Sequence, residues 1–229
     1  MVDYAKAIMK PFSNMTTLVI GMVIGAIPVL NLLVTGYGLK VGQKTIKGDS
    51  KLPEWSVGDL VDYIVKLIMY IIIVIVYLLP GAIITAVGAL PIIGAIISAA
   101  MSGSMDPTIF MSALASGGVL MLIGVLILLI GAILSIMAIA SYLATNNIMA
   151  AFNIGKVLKK TLTASFIISL IVLIIYGMVL AFIVGVITVI LMLIPVIGWL
   201  LIWLLTGALM YIASVTSWTI FGEVFKETK

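Results

Sequence analysis

Carboxylates close together on one short segment can hold a hard cation through oxygen or work as an acid–base pair. The chain offers one such group, Glu54, Asp59 and Asp62, within the stretch GDSKLPEWSVGDLVD at residues 48–62. Ser56 followed three residues later by Asp59 is, however, a helix-start pair. These acids therefore read as caps and solvating groups of a linker, and no metal site is expected. The wider inventory closes other routes, because the sequence holds neither cysteine nor histidine. Thiol chemistry, thiolate metal sites and the commonest general base are all missing. Serines such as Ser135 and Ser141 stand isolated. The expectation is a non-enzyme with no catalytic, cofactor-binding or metal residue.

The nearest approach to a ligand contact is a pair of amides. Asn146 and Asn153, spaced i and i+7, share a face if one helix carries both. Amides in hydrocarbon turn towards a neighbouring helix or a wet cavity. Two readings follow: a contact for a lipid headgroup or neutral solute, or the end of a helix leaving the membrane with its amides in the headgroup layer.

The elements that must position such residues are set by long charge-free runs. Between Lys160 and Glu223 lie 62 residues without a charged side chain, and similar runs separate Lys66 from Asp106 and Asp106 from Lys156. A spanning helix needs about 20 apolar residues, so the fold class is all-α: a polytopic transmembrane helical bundle. Composition agrees, with 64% hydrophobic and 9% charged residues among 229, against roughly 25% charged in soluble domains. The twelve cations are all lysine. Without arginine, nucleic-acid recognition is not expected.

Lysine placement predicts orientation. Clusters at Lys6 and Lys10, from Lys40 to Lys51 with Lys66 beyond, from Lys156 to Lys160, and at Lys226 and Lys229 all belong on the cytoplasmic side by the positive-inside rule. Each apolar region between them then crosses an even number of times. This predicts about six membrane helices as three Pro-turned hairpins, near residues 12–48, 64–145 and 161–222, both termini cytoplasmic. Together with a cytoplasmic interfacial segment at 49–63, they form a single integral membrane domain, 1–229. A single Pro-kinked span is the rival for residues 12–48. Lys6 and Lys10 before the apolar stretch from Thr16 to Leu30 also resemble a signal peptide, but residues 31–44 offer no small-x-small cleavage site, so the segment is read as retained.

Repeats refine the hairpins. Pro28-Val-Leu-Asn31, Pro91-Ile-Ile-Gly94 and Pro195-Val-Ile-Gly198 each mark an expected bend, because proline removes a helix hydrogen bond. Tyr37 with Thr45-Ile-Lys-Gly-Asp49 matches Tyr211 with Thr219-Ile-Phe-Gly-Glu223 at one spacing, and predicts two equivalent return helices. From Val57 to Ile68 the apolar positions follow one helical face, expected as an interfacial amphipathic helix with Trp55 as its anchor. Gly21 with Gly25, Gly38 with Gly42, and Gly117 with Gly124 and Gly131 form small-residue rows that pack helices within the bundle or seam it to a second copy.

Leu-Val-Thr-Gly-Tyr at 33–37, Lys-Gly-Asp at 47–49, Leu-Pro-Glu-Trp at 52–55 and Gly-Asp-Leu-Val-Asp at 58–62 resemble a largely archaeal membrane family catalogued as domain of unknown function 4013. Lys-Pro-Phe at 10–12, Tyr-Leu-Leu-Pro at 77–80 and the closing Phe-Gly-Glu at 221–223 fit as well. The resemblance implies a multi-span integral protein of the archaeal plasma membrane and transfers no catalytic residue. The expected function is non-enzymatic: a scaffold or accessory subunit acting by association, or alternatively a passage or carrier for a neutral or lipidic solute. Its expected partners are the lipid bilayer, a bound lipid, and either a second copy or another membrane protein.

Overall fold

A computed structural model describes residues 2–104 and 106–228. Among these residues every regular element is helical: α1 (Tyr4–Met9), α2 (Met15–Ala26), α3 (Asn31–Ile46), α4 (Leu60–Ser102), α5 (Pro107–Thr145), α6 (Ile154–Thr161), α7 (Ala164–Met192) and α8 (Ile197–Glu227), with short 3-10 turns at Lys10–Ser13, Val57–Asp59 and Ile148–Phe152. Where the sequence supplies a short polar residue before a helix, it caps. Asn14 accepts from the Thr17 N–H, Asn153 from Lys156 and Thr163 from Phe166, each satisfying a donor that the first turn leaves open.

The chain forms two compact units, 1–70 with 137–229, and 71–136. In the first, α8 is the axis. It runs antiparallel to α2, with Gly21 beneath the Tyr211 ring and Gly25 against Gly207, and parallel to α3, with Gly38 beside Ser214 and Thr45 beside Gly222. The two repeat copies are therefore neighbours, and Tyr37 and Tyr211 meet with ring centroids 5.7 Å apart. Around them a core of Val34, Val41, Tyr63 and Val215 closes.

Both repeat helices begin just after a proline break. The following residue is a valine with positive φ in each, 71° at Val29 and 65° at Val196. At the second break the Ile197 N–H donates to the Pro195 carbonyl at 2.8 Å, a γ-turn of the rarer hand. The copies end differently: α3 stops at Ile46 and α8 continues through Gly222 to Glu227. The third expected bend is not one. Pro80 and Pro91 both lie inside the continuous α4, and the chain turns only beyond it, at Gly103 with φ of 68°. A proline in an apolar helix frees one carbonyl without ending the helix when packing holds it.

In the second unit, the α4 and α5 portions pack through their glycines. Gly88 lies against Gly117, Gly124 against Thr85 and Gly131 against the Tyr77 backbone. The Gly117 row is thus filled from within the chain.

Among the described residues four helices are long and apolar enough to cross a membrane, or five if the bent pair Tyr4–Ser13 and Met15–Ala26 counts as one span; about six were expected. The shortfall lies in the first hairpin. At 12 and 16 residues, α2 and α3 extend about 18 and 24 Å at about 1.5 Å per residue, under a hydrocarbon core of about 30 Å. The hairpin itself is real. Lys10 Nζ donates to Thr45 Oγ1 at 3.0 Å, so the two ends of this segment lie together and the single kinked span is excluded. The N-terminal piece, Tyr4–Ser13, is set at 81° to α2.

The helix expected from Val57 is present but is not a separate interfacial element: after a loop at 49–56, the 3-10 turn Val57–Asp59 leads directly into α4, which runs unbroken from Leu60. Trp55 instead stacks on Tyr37 at 4.3 Å and donates its indole N–H to the Thr17 carbonyl at 3.1 Å. The amphipathic role falls to α6, which buries Val157 and Thr161 and leaves Lys156 and Lys159 exposed.

Candidate functional site

The two sequence-predicted amides do not form a site face. The helix that would have carried both ends at Thr145, because Asn146 takes a left-handed φ of 54°, a conformation asparagine tolerates. Asn146 Oδ1 accepts from Gln43 Nε2 at 2.5 Å, and the same nitrogen donates to the Leu143 carbonyl at 3.1 Å. Asn153 caps α6. Both are exposed helix ends. The three acids are likewise occupied or apart. Lys40 Nζ sits 2.6 Å from Asp59 and 3.5 Å from Asp62, and Lys66 also pairs with Asp62. Among the described residues no group of three His, Cys, Asp or Glu could hold a metal ion.

The structure brings other residues together at the lysine-rich end of the first unit. A cleft of about 500 Å³ is lined by Lys6 and Lys10 from the N-terminal piece, Thr45, Gly48 and Asp49 from the end of α3, and Thr219, Glu223 and Lys226 from α8. Thr45 and Thr219 are the equivalent threonines of the repeat, and Asp49 and Glu223 its equivalent acids. Parallel packing of α3 on α8 is what delivers both copies to one place.

Charge in the cleft is uneven. Lys10 is 8% exposed, and its ammonium is partnered by a hydroxyl, that of Thr45. Burial lowers its pKa from 10.5 to about 8, against the raising effect of Glu223 and Asp49. The acids have partners of their own. Asp49 lies 3.2 Å from Lys44 and accepts from the Lys51 N–H at 2.9 Å; that backbone bond, then Lys44, holds its pKa below the usual value. Glu223 accepts from the Asp3 N–H at 2.9 Å. Lys6 and Lys226 are exposed on the rim, and neither forms an ion pair with a described residue.

None of this was read from the sequence. Lys6 and Lys10 were legible as membrane-border charges and Thr45 and Thr219 as repeat markers. The only signal for the cleft was that each repeat copy ends in Gly followed by an acid.

Long apolar helices, glycine-mediated packing and charge gathered at helix ends define a multi-pass α-helical membrane protein. The family model described as Protein of unknown function (DUF4013) matches residues 19–193. The chain belongs to that family. The matched range stops short of Lys-Pro-Phe at 10–12 and Phe-Gly-Glu at 221–223, so the cleft is built only partly from the matched region. No curated protein and no solved structure matches the chain significantly.

Proposed function

We propose that this membrane protein is non-enzymatic and acts by holding an amphiphile, with the polar head in the cleft and the tail along the apolar helices beside it. The reading rests on one observation: both repeat copies deliver a threonine and an acid to a single cleft that the buried Lys10 also lines. Under the positive-inside rule this end is cytoplasmic, with both termini on that side of the plasma membrane. A carrier or a lipid-sensing subunit would use such a seat. A pure scaffold, acting by association alone, draws on α7, which buries only Phe166 and Ser169 and offers the rest of its apolar surface to lipid or to another protein.

Native mass spectrometry of gently extracted protein separates the two. The amphiphile reading expects a stoichiometric bound lipid that survives purification. A lipid-free protein with a stable stoichiometric protein partner would replace it with the scaffold.

A further inference from the structure

The cleft has a donor set without its acceptor. Lys6, Lys10 and Lys226 bring three ammoniums to it against the two carboxylates of Asp49 and Glu223. Both carboxylates already accept from backbone N–H groups, and Asp49 also from Lys44. Lys10 is the decisive residue. An ammonium removed from water is costly unless an anion compensates it, and within the protein its hydrogen-bond partner is the neutral Thr45 hydroxyl. Its depressed pKa expresses the same deficit. An anion seated between Lys10 and the rim lysines would satisfy all three at once. A tetrahedral oxyanion with several acceptor oxygens suits them, because lysine binds phosphate as a point charge with rotatable donors.

We infer that the cleft binds a phosphate group, held by Lys10 in its floor and by Lys6 and Lys226 at its rim. This rests on the reading of the cleft as a headgroup seat and names the chemistry of the head. The phosphate could belong to a phospholipid or to a soluble phosphate, and position favours the former. The exposed Met9 lines the cleft, and α2, with Met15 and Val19 exposed, begins two residues after the lining Ser13, so an attached alkyl chain finds apolar side chains next to the cationic floor.

The test uses the purified full chain in a neutral detergent and follows its thermal midpoint. The probes are octyl phosphate below its micelle-forming concentration, inorganic phosphate, and octanol. Octyl phosphate at about a hundredfold excess over its Kd is expected to raise the midpoint by about 5–10 °C, and octanol to leave it unchanged. Equal shifts from inorganic and octyl phosphate would assign the site to a soluble phosphate; a shift from octyl phosphate alone assigns it to a lipid. Lys10→Gln should abolish the shift. Because Lys10 is buried, the double variant Lys6→Gln with Lys226→Gln, confined to exposed positions, provides the second arm: basal midpoint retained, apparent Kd weakened at least tenfold. No shift with either phosphate, or an apparent Kd that is unchanged in the double variant, overturns the inference. Recovery of a stoichiometric neutral lipid alongside that failure would leave the headgroup-seat reading standing; recovery of no lipid would remove both.

Discussion

Lys10 shows how a single residue changes meaning between sequence and structure. In the sequence it is one of four lysine clusters and an orientation signal. In the fold it is a buried ammonium beside a hydroxyl. Its folded pKa, about 8, lies below the value of 10.5 it has when unfolded. Below pH 8 both states carry the proton, and folding bears the full cost of burying the charge. Between about pH 8 and 10.5 the folded chain releases its proton first, so this contribution to stability rises with pH. Unliganded protein should therefore gain thermal midpoint from pH 7.5 to 9.5, relative to a Lys10→Met variant measured at both values. Equal slopes in the two proteins would deny the burial. The amides teach the reverse lesson. Asn146 and Asn153 were visible as unusual residues, but i and i+7 means a shared face only while the helix persists, and the left-handed φ of Asn146 ends it.

Among the elements, the repeat was legible and its consequence was not. Tyr and Thr at a fixed spacing marked α3 and α8 as equivalent, yet nothing in the pattern says that equivalent helices lie side by side. Glycine decides it: Gly38 beside Ser214 and Gly42 beside Trp218 let α3 approach α8, and on α2 Gly25 meets the Gly207 backbone, where an added Cβ would lie 2.7 Å from the carbonyl oxygen. Gly25→Ala should destabilise by about 1–3 kcal/mol, since backbone cannot yield as a flexible side chain does. Gly94→Ala, with nothing within 4 Å, should be neutral or stabilising by up to about 1 kcal/mol. Thermal midpoints of the two variants in one detergent check the contrast. Residue type alone does not make proline a helix breaker: Pro28 and Pro195 break their helices where a positive-φ valine follows, and Pro91 lies inside α4.

For the molecule as a whole, the membrane class was fixed by charge-free runs, whereas the number of crossings depended on helix lengths that apolarity alone cannot measure. By its helix lengths the first hairpin is shorter than the hydrocarbon core of a bilayer, though apolar enough to enter it. Its tip, with Val29 at 76% exposure, should therefore stay in the hydrocarbon and return to the face it entered. The absence of native cysteine makes this measurable with an impermeant thiol reagent applied outside whole cells. Ser104→Cys should label, and Met9→Cys, Ser50→Cys, Gly155→Cys and Val29→Cys should not. External labelling of Val29→Cys would show that α2 crosses fully and restore six spans.

The packing of α2 and α3 on α8 also sets an order of manufacture. The Ser214 hydroxyl donates to the Val34 carbonyl across 180 residues of chain, so α2 and α3 are completed by a helix synthesised long after them. At roughly 5–20 residues per second, the ribosome takes about 10–35 s to supply α8 after α3 has emerged. Through that interval the glycine faces of α2 and α3 and the Tyr37 ring lack their partner, and a nascent chain stalled before Ile197 presents them to lipid or to whatever insertion factor attends it.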